Sequence, residues 1–172
     1  AHYDSRYSQP MPKDTVWSYG AADDGYGVST ILETVGQALK YRKDWKQGIK
    51  VLFTDAEEVG KEGMKAAWAN DRHIFDNVGF MINVEARGPW GPALLFETCP
   101  GNEKVMDLYA KAAEYPFTYS LTTVVYNFMP NFTDFTIVKD AVPGLNFSTI
   151  CDVNHYHTDK DNFSNISEKS IQ

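Results

Sequence analysis

The run Val78 to Val84 (V-G-F-M-I-N-V) is mostly apolar over the length of a strand. Such a run suits a strand covered on both faces, at the centre of a sheet with helices packed on it. The rest of the chain alternates accordingly. Val28, Leu32, Val35 and Leu39 fall at helical spacing and predict a helix from about Gly25 to Tyr41, with Lys40, Arg42 and Lys43 suited to its C-terminal end. Ile49 to Phe53 is a short β-prone run, followed by an acidic loop and a helix around Glu62 to Asn70. Gly88 to Pro92 breaks the chain, and Val105, Leu108, Tyr109 and Ala112 place a helix within Asn102 to Tyr115. Leu121 to Tyr126 reads as a further strand, Asp134 to Lys139 as a short helix and Val142 to Phe147 as a strand despite Pro143. The pattern predicts an α/β fold, with no internal repeat.

The 172 residues suit a single domain, 1–172. Sixteen Lys and Arg against 23 Asp and Glu leave a net charge of −7, the wrong sign for a protein that binds by neutralising phosphates. Nucleic acid is excluded as a partner on that ground. No apolar run approaches the roughly 20 residues that cross a bilayer, so no membrane contact by this segment itself is expected. Cys99 and Cys151 are too few for a disulfide scaffold and leave the compartment open. The sequons at Asn131, Asn146, Asn162 and Asn165 lean toward a secreted, periplasmic or lumenal placement. His2 and Asp4 come with no preceding strand to hold them, and Ser167 to Ser170 reads as a helix start without its helix. Both ends therefore read as cut from a larger protein.

The informative residues are histidines and carboxylates in segments that read as loops or strand ends. They are His2 and Asp4 in H-Y-D-S, Asp23 and Asp24 in G-A-A-D-D-G-Y-G, Glu57 and Glu58 in D-A-E-E, Glu85 in N-V-E-A, Asp134 in F-T-D-F and His157 in Y-H-T-D-K-D. Ligands of open α/β sheets collect beyond the carboxyl ends of the strands, where several of these positions fall. Imidazole and carboxylate without thiolate suit zinc or a similar divalent ion. Each residue alone has a plainer reading. Asp23 and Asp24 would cap a helix, Glu57 and Glu58 would form a solvated loop, His2 a frayed end and His157 a turn; His73 and His155 read as surface residues. Glu85 is different, because a carboxylate closing an apolar buried strand costs several kcal/mol unless paired or metal-bound.

Taken together, H-Y-D-S, G-A-A-D-D-G-Y-G-V, L-F-T-D-A-E-E-V-G, I-N-V-E-A-R-G and Y-H-T-D-K-D, in this order, resemble the di-zinc aminopeptidases of metallopeptidase clan MH, family twenty-eight. A-H-Y-D-S, G-A-A-D-D-G and I-N-V-E-A are similar to the branch of endoplasmic-reticulum and vacuolar-membrane metallopeptidases and their bacterial relatives. The resemblance spans Ala1 to about Ser164. It implies a three-layer α/β/α sandwich around a mixed, mainly parallel sheet.

Carried over by residue, the resemblance makes His2 and Glu85 ligands of one zinc ion, Glu58 and His157 ligands of a second, and Asp23 the carboxylate bridging both. Most relatives carry Asp where this chain has Glu85. Asp4 would orient His2 by accepting its ring N–H, as is usual for a metal-bound imidazole. Glu57 would be the general base and Tyr156 a hydrogen-bond donor to the tetrahedral state, while Asp134 stands where relatives carry an acidic residue. The implied function is a zinc-dependent exopeptidase, an aminopeptidase acting on peptides with a free N-terminus, with a water shared by two zinc ions and activated by Glu57. Two rivals remain at this point: a transferase of glutaminyl-cyclase type with one zinc, and a non-catalytic binding domain.

Overall fold

β3 (Met81–Ala86), β4 (Leu94–Thr98) and β5 (Gly144–Thr149) form the main sheet in the order β3-β5-β4. The computed structural model describes residues 1–10 and 15–171; residues 11–14 of the polar opening and residue 172 lie outside the described residues. β5 is parallel to β3 and antiparallel to β4, so the sheet is mixed and the fold is α/β. The central strand is β5, not the run at 78–84. Chain preceding Met81 turns at Asn77, which has φ of 59°, and strand pairing begins only where Met81 N–H donates to the Pro143 carbonyl at 2.8 Å. Pro143, lacking an N–H, thus sits at the entrance of β5 and interrupts no ladder bond. A short antiparallel pair, β1 (Tyr7–Pro10) and β2 (Thr15–Trp17), lies apart from this sheet.

Helices α1 (Gly25–Ala38), α2 (Glu62–Asn70), α3 (Glu103–Ala112) and α5 (Asp134–Val138) form where the periodicity places them, and α1 runs on as a 3-10 segment, Leu39–Asp44. Met64 of α2, Val105 of α3, Phe135 and Val138 of α5, Leu95 of β4 and Leu145 of β5 meet in the main core. Gly144 permits the closest of these approaches, since a Cβ there would lie 2.5 Å from the Met81 carbonyl and 2.7 Å from the Phe135 ring. Tyr26 of α1 packs with Ala22 and Ala86 in a second cluster. A short turn of helix, α6 (Glu168–Ile171), follows the last loop.

Two strand expectations fail. Leu121 to Tyr126 is helical, within α4 (Ser120–Phe128). Its β-branched residues suggested a strand, but Thr122 and Tyr126, four apart, share one face, and the Tyr126 ring meets Phe96 edge-on at 4.7 Å. Ile49 to Phe53 forms no strand either. A strand needs a partner along its length, and here a single parallel bridge joins Thr54 to His2, with Ile49 and Val51 left exposed.

Candidate metal centre

His2 is 1% exposed and firmly held. Tyr3 N–H donates to the Thr54 carbonyl at 3.0 Å and Thr54 N–H to the Ala1 carbonyl at 3.2 Å, so backbone pairing supplies a support that the sequence did not disclose. Beneath it, the Thr54 hydroxyl donates to buried Asp134, which acts here as a buttress. The His2 ring Nδ1 lies 3.0 Å from the Asp4 carbonyl and 3.3 Å from its carboxylate. That same carboxylate accepts from the N–H groups of Glu57 and Glu58, each at 3.1 Å. Asp4 therefore ties the histidine to the acidic loop.

The turn Gly20 to Asp24 delivers Asp23. Its neighbour Asp24 caps α1, accepting from Gly27 N–H at 3.0 Å, and also accepts from His2 N–H at 3.3 Å. Asp161, 2% exposed, accepts from the N–H groups of Ala22 and Asp23 at 2.7 and 3.1 Å. Asp161 closes the string Y-H-T-D-K-D, but sequence reading assigned it no role: an acid whose partner is a backbone far away in the chain carries no local pattern.

Two donor groups result. One is His2, Asp23 and Glu85; the other is Asp23, Glu58 and His157; within each, the ligand atoms lie within 4.8 Å of one another. His2 Nε2 is 3.2 Å from Asp23 Oδ1 and 3.6 Å from Glu85 Oε2, while His157 Nε2 is 3.2 Å from Asp23 Oδ2 and 2.9 Å from Glu58 Oε2. His157 is presented from a left-handed backbone position, φ 57°. Asp23 Oδ2, Glu58 Oε1 and His157 Nε2 are buried without a hydrogen-bond partner. Buried polar atoms are normally satisfied, so orphaned acceptors converging from three segments fit a cation. Oxygen and imidazole donors fit zinc.

Charges within the site shift its protonation. Burial opposes the charged form of both histidines, but the adjoining carboxylates outweigh it, raising His2 through Asp23 and Glu85 and bringing His157 up to about 9 through Asp23 and Glu58. Burial raises Glu58, against the pull of the neighbouring His157 imidazole. Glu57 lies outside both donor groups; burial and then the charge of Glu85 push its carboxyl up to about 8.

Glu57 and Glu85 open into a cleft of about 290 Å³, with Tyr156 and Arg87 on the same wall. The Tyr156 ring stacks on His157 at 3.6 Å between centroids, and the Arg87 guanidinium lies 5.2 Å from its other neighbour, the Tyr156 ring centre. Leu94, Phe96, Val125, Met129 and Ile150 supply an apolar wall, with Asn131 and Thr133 among the polar lining residues.

Comparison with known proteins shows the family of the chain. The model of peptidase family M28 matches residues 1–172. The chain belongs to this family. It is similar to a vacuolar membrane protease of Candida dubliniensis (29% identity over 174 residues, 99% of this chain and 17% of that protein). It is 32% identical to a vacuolar membrane protease of Verticillium alfalfae over 177 residues, 99% of this chain and 16% of that protein. Endoplasmic reticulum metallopeptidase 1 of Homo sapiens is 29% identical over 180 residues, 99% of this chain and 18% of that protein. The chain thus spans less than a fifth of these relatives.

These names correct the secreted, periplasmic or lumenal leaning: the relatives are named for the vacuolar membrane and the endoplasmic reticulum. Of the four sequons, the one at Asn146 is fully buried in β5, where no glycan could be attached. Among the described residues no helix is long and apolar enough to cross a membrane.

Proposed function

We propose that this domain is a zinc-dependent aminopeptidase with two metal ions, held by His2 and Glu85 on one side, Glu58 and His157 on the other, and Asp23 between. The observation that carries the reading is the pair of donor groups sharing Asp23 at the end of an apolar cleft. Zinc, when bound, supplies Lewis acidity to water and to the scissile carbonyl.

The chain's own groups do the rest. Glu57 takes a proton from the attacking water at its carboxylate and hands it to the leaving amine. Burial keeps this carboxyl protonated near neutrality in the metal-free state, and nearby cations would bring its pKa down to where it can act as a base. Tyr156, whose hydroxyl is held neutral by burial and by the charges of Asp23 and Glu58, donates to the oxygen of the tetrahedral state. The carboxylates at the end of the cleft attract a substrate α-ammonium, and the apolar wall takes the first side chain. The second donor group speaks against a one-zinc transferase, and the free base Glu57 against a binding domain without catalysis.

Aminoacyl para-nitroanilides test this. Leucyl and phenylalanyl substrates should be hydrolysed at least ~10-fold faster than the aspartyl one, a scale set by burying an apolar side chain rather than a charge. N-acetylation should abolish turnover. Equal cleavage of blocked substrates, or of internal peptide bonds, would contradict the aminopeptidase reading.

A further inference from the structure

A row of buried polar side chains crosses the sheet and ends at Glu85. Asn83 on β3 lies opposite Asn146 on β5, and Asn146 lies opposite Glu97 on β4. The two asparagines are 0% exposed and Glu97 is 2% exposed. Asn83 Nδ2 donates to Glu85 Oε1 and to Asn146 Oδ1, both at 3.0 Å. Asn146 Nδ2 donates in turn to Glu97 Oε2 at 2.9 Å and to the Thr133 hydroxyl at 2.8 Å. Lys139 closes the row on Glu97 Oε1 at 2.6 Å.

A β-bulge makes the last link. Leu95 pairs with Phe147, so a regular ladder would set Phe96 opposite Asn146; the register shift between Leu95 and Glu97 puts Glu97 there instead. Such shifts re-aim side chains, here turning a carboxylate into the buried row. Burying an asparagine pair and a carboxylate costs several kcal/mol unless every donor and acceptor is paired. The row is paired along its whole length, and it also ties the N-cap Thr133 of α5 to the sheet.

We propose that Asn83 is a positioning residue for the metal centre: it clamps Glu85 Oε1, so that Oε2 stays turned toward His2, and the Asn146–Glu97–Lys139 row holds Asn83 in place. A glutamate has one more rotatable bond than an aspartate, and a ligand needs its carboxylate fixed to within about half an ångström. Asn83, two residues before Glu85 on the same strand face, removes that freedom. The inference rests on the two-ion reading and adds to it a reason why a long-armed ligand serves at this position.

The test is a zinc titration of the unaltered chain and of Asn83→Ala against a chromophoric chelator, with circular dichroism to establish folding. Partners that orient a ligand typically govern metal affinity by about 10–100-fold. Asn83→Ala should therefore weaken one of the two zinc steps at least ~10-fold and leave the other within about threefold. On a Glu85→Asp background, whose shorter arm falls away from Asn83, the same substitution should cost much less, since coupled residues are non-additive. Equal weakening of both steps, or additivity with Glu85→Asp, would overturn the proposal. If Asn83→Ala does not fold, Asn83→Ser takes its place. If neither folds, the Asn83 side-chain amide of the unaltered chain decides: it should be protected from hydrogen exchange and shift on adding zinc, and free exchange would overturn the proposal. An unaltered chain that takes up fewer than two zinc ions would instead refute the two-ion reading itself.

Discussion

Glu57 and Glu58 are adjacent in sequence, yet their side chains face different surroundings. Asp4 holds both N–H groups, so the loop is rigid and the two side chains diverge: Glu58 to His157, Glu57 into the cleft. The doublet was legible as a string but not as two roles, because adjacency says nothing of direction; only the family resemblance distinguished them. Glu57→Gln should leave metal content unchanged and lower kcat at least ~10²-fold, the usual contribution of a general base. Parallel metal analysis and steady-state kinetics check this, and loss of metal would show that Glu57 is a ligand. Asn83, Asn146 and Asp161 were not legible at all. Their meaning lies in partners brought up by pairing across the sheet or from more than a hundred residues away, and a lone Asn or Asp in sequence looks like a turn residue.

Elements with strong helical periodicity were readable, and the strands expected at 78–84 and 142–147 form as β3 and β5 shifted by two or three residues, whereas 49–53 and α4 were misread. α2 forms where Glu62 to Asn70 placed it because its own residues define its buried face, with Met64 and Ala67 inward. By contrast, 49–53 has β-prone residues and no partner strand, and α4 has β-branched residues that pack as a helix over Phe96. The apolar stripe of α1 shows the same limit, since Leu32 and Leu39 are exposed while Tyr26 at its first turn is buried. Asp24 caps the start of α1, and Asp161 holds the turn before it. Asp161→Ala would strand two buried N–H groups, each worth about 1–3 kcal/mol when left unpaired. Urea unfolding should accordingly show a loss of about 2 kcal/mol or more, and zinc affinity should fall at both steps because Asp23 serves both ions. An unchanged midpoint would mean that the turn holds itself.

Across the whole molecule, net acidity and proton uptake are linked to the metal. In the metal-free chain His157 has a pKa raised from 6.5 to about 9 and Glu57 one raised from 4.5 to about 8. Both bind protons more tightly folded than unfolded, so their stabilisation is complete below the unfolded values and is lost as pH rises through the folded ones. Metal-free stability should therefore fall with rising pH from about 4.5, where Glu57 begins to contribute, to about 9, where the His157 contribution is gone. Zinc takes deprotonated imidazole, so binding should release protons and tighten over the same window. Calorimetry in buffers of different ionisation enthalpy measures that release, and zinc binding without it would show that the histidines are not ligands. Metal analysis of zinc-saturated, dialysed protein decides whether two ions share Asp23: two zinc ions per chain are expected, both lost in Asp23→Asn, whereas a reproducible single ion per chain, or two that survive Asp23→Asn, would rule the shared centre out.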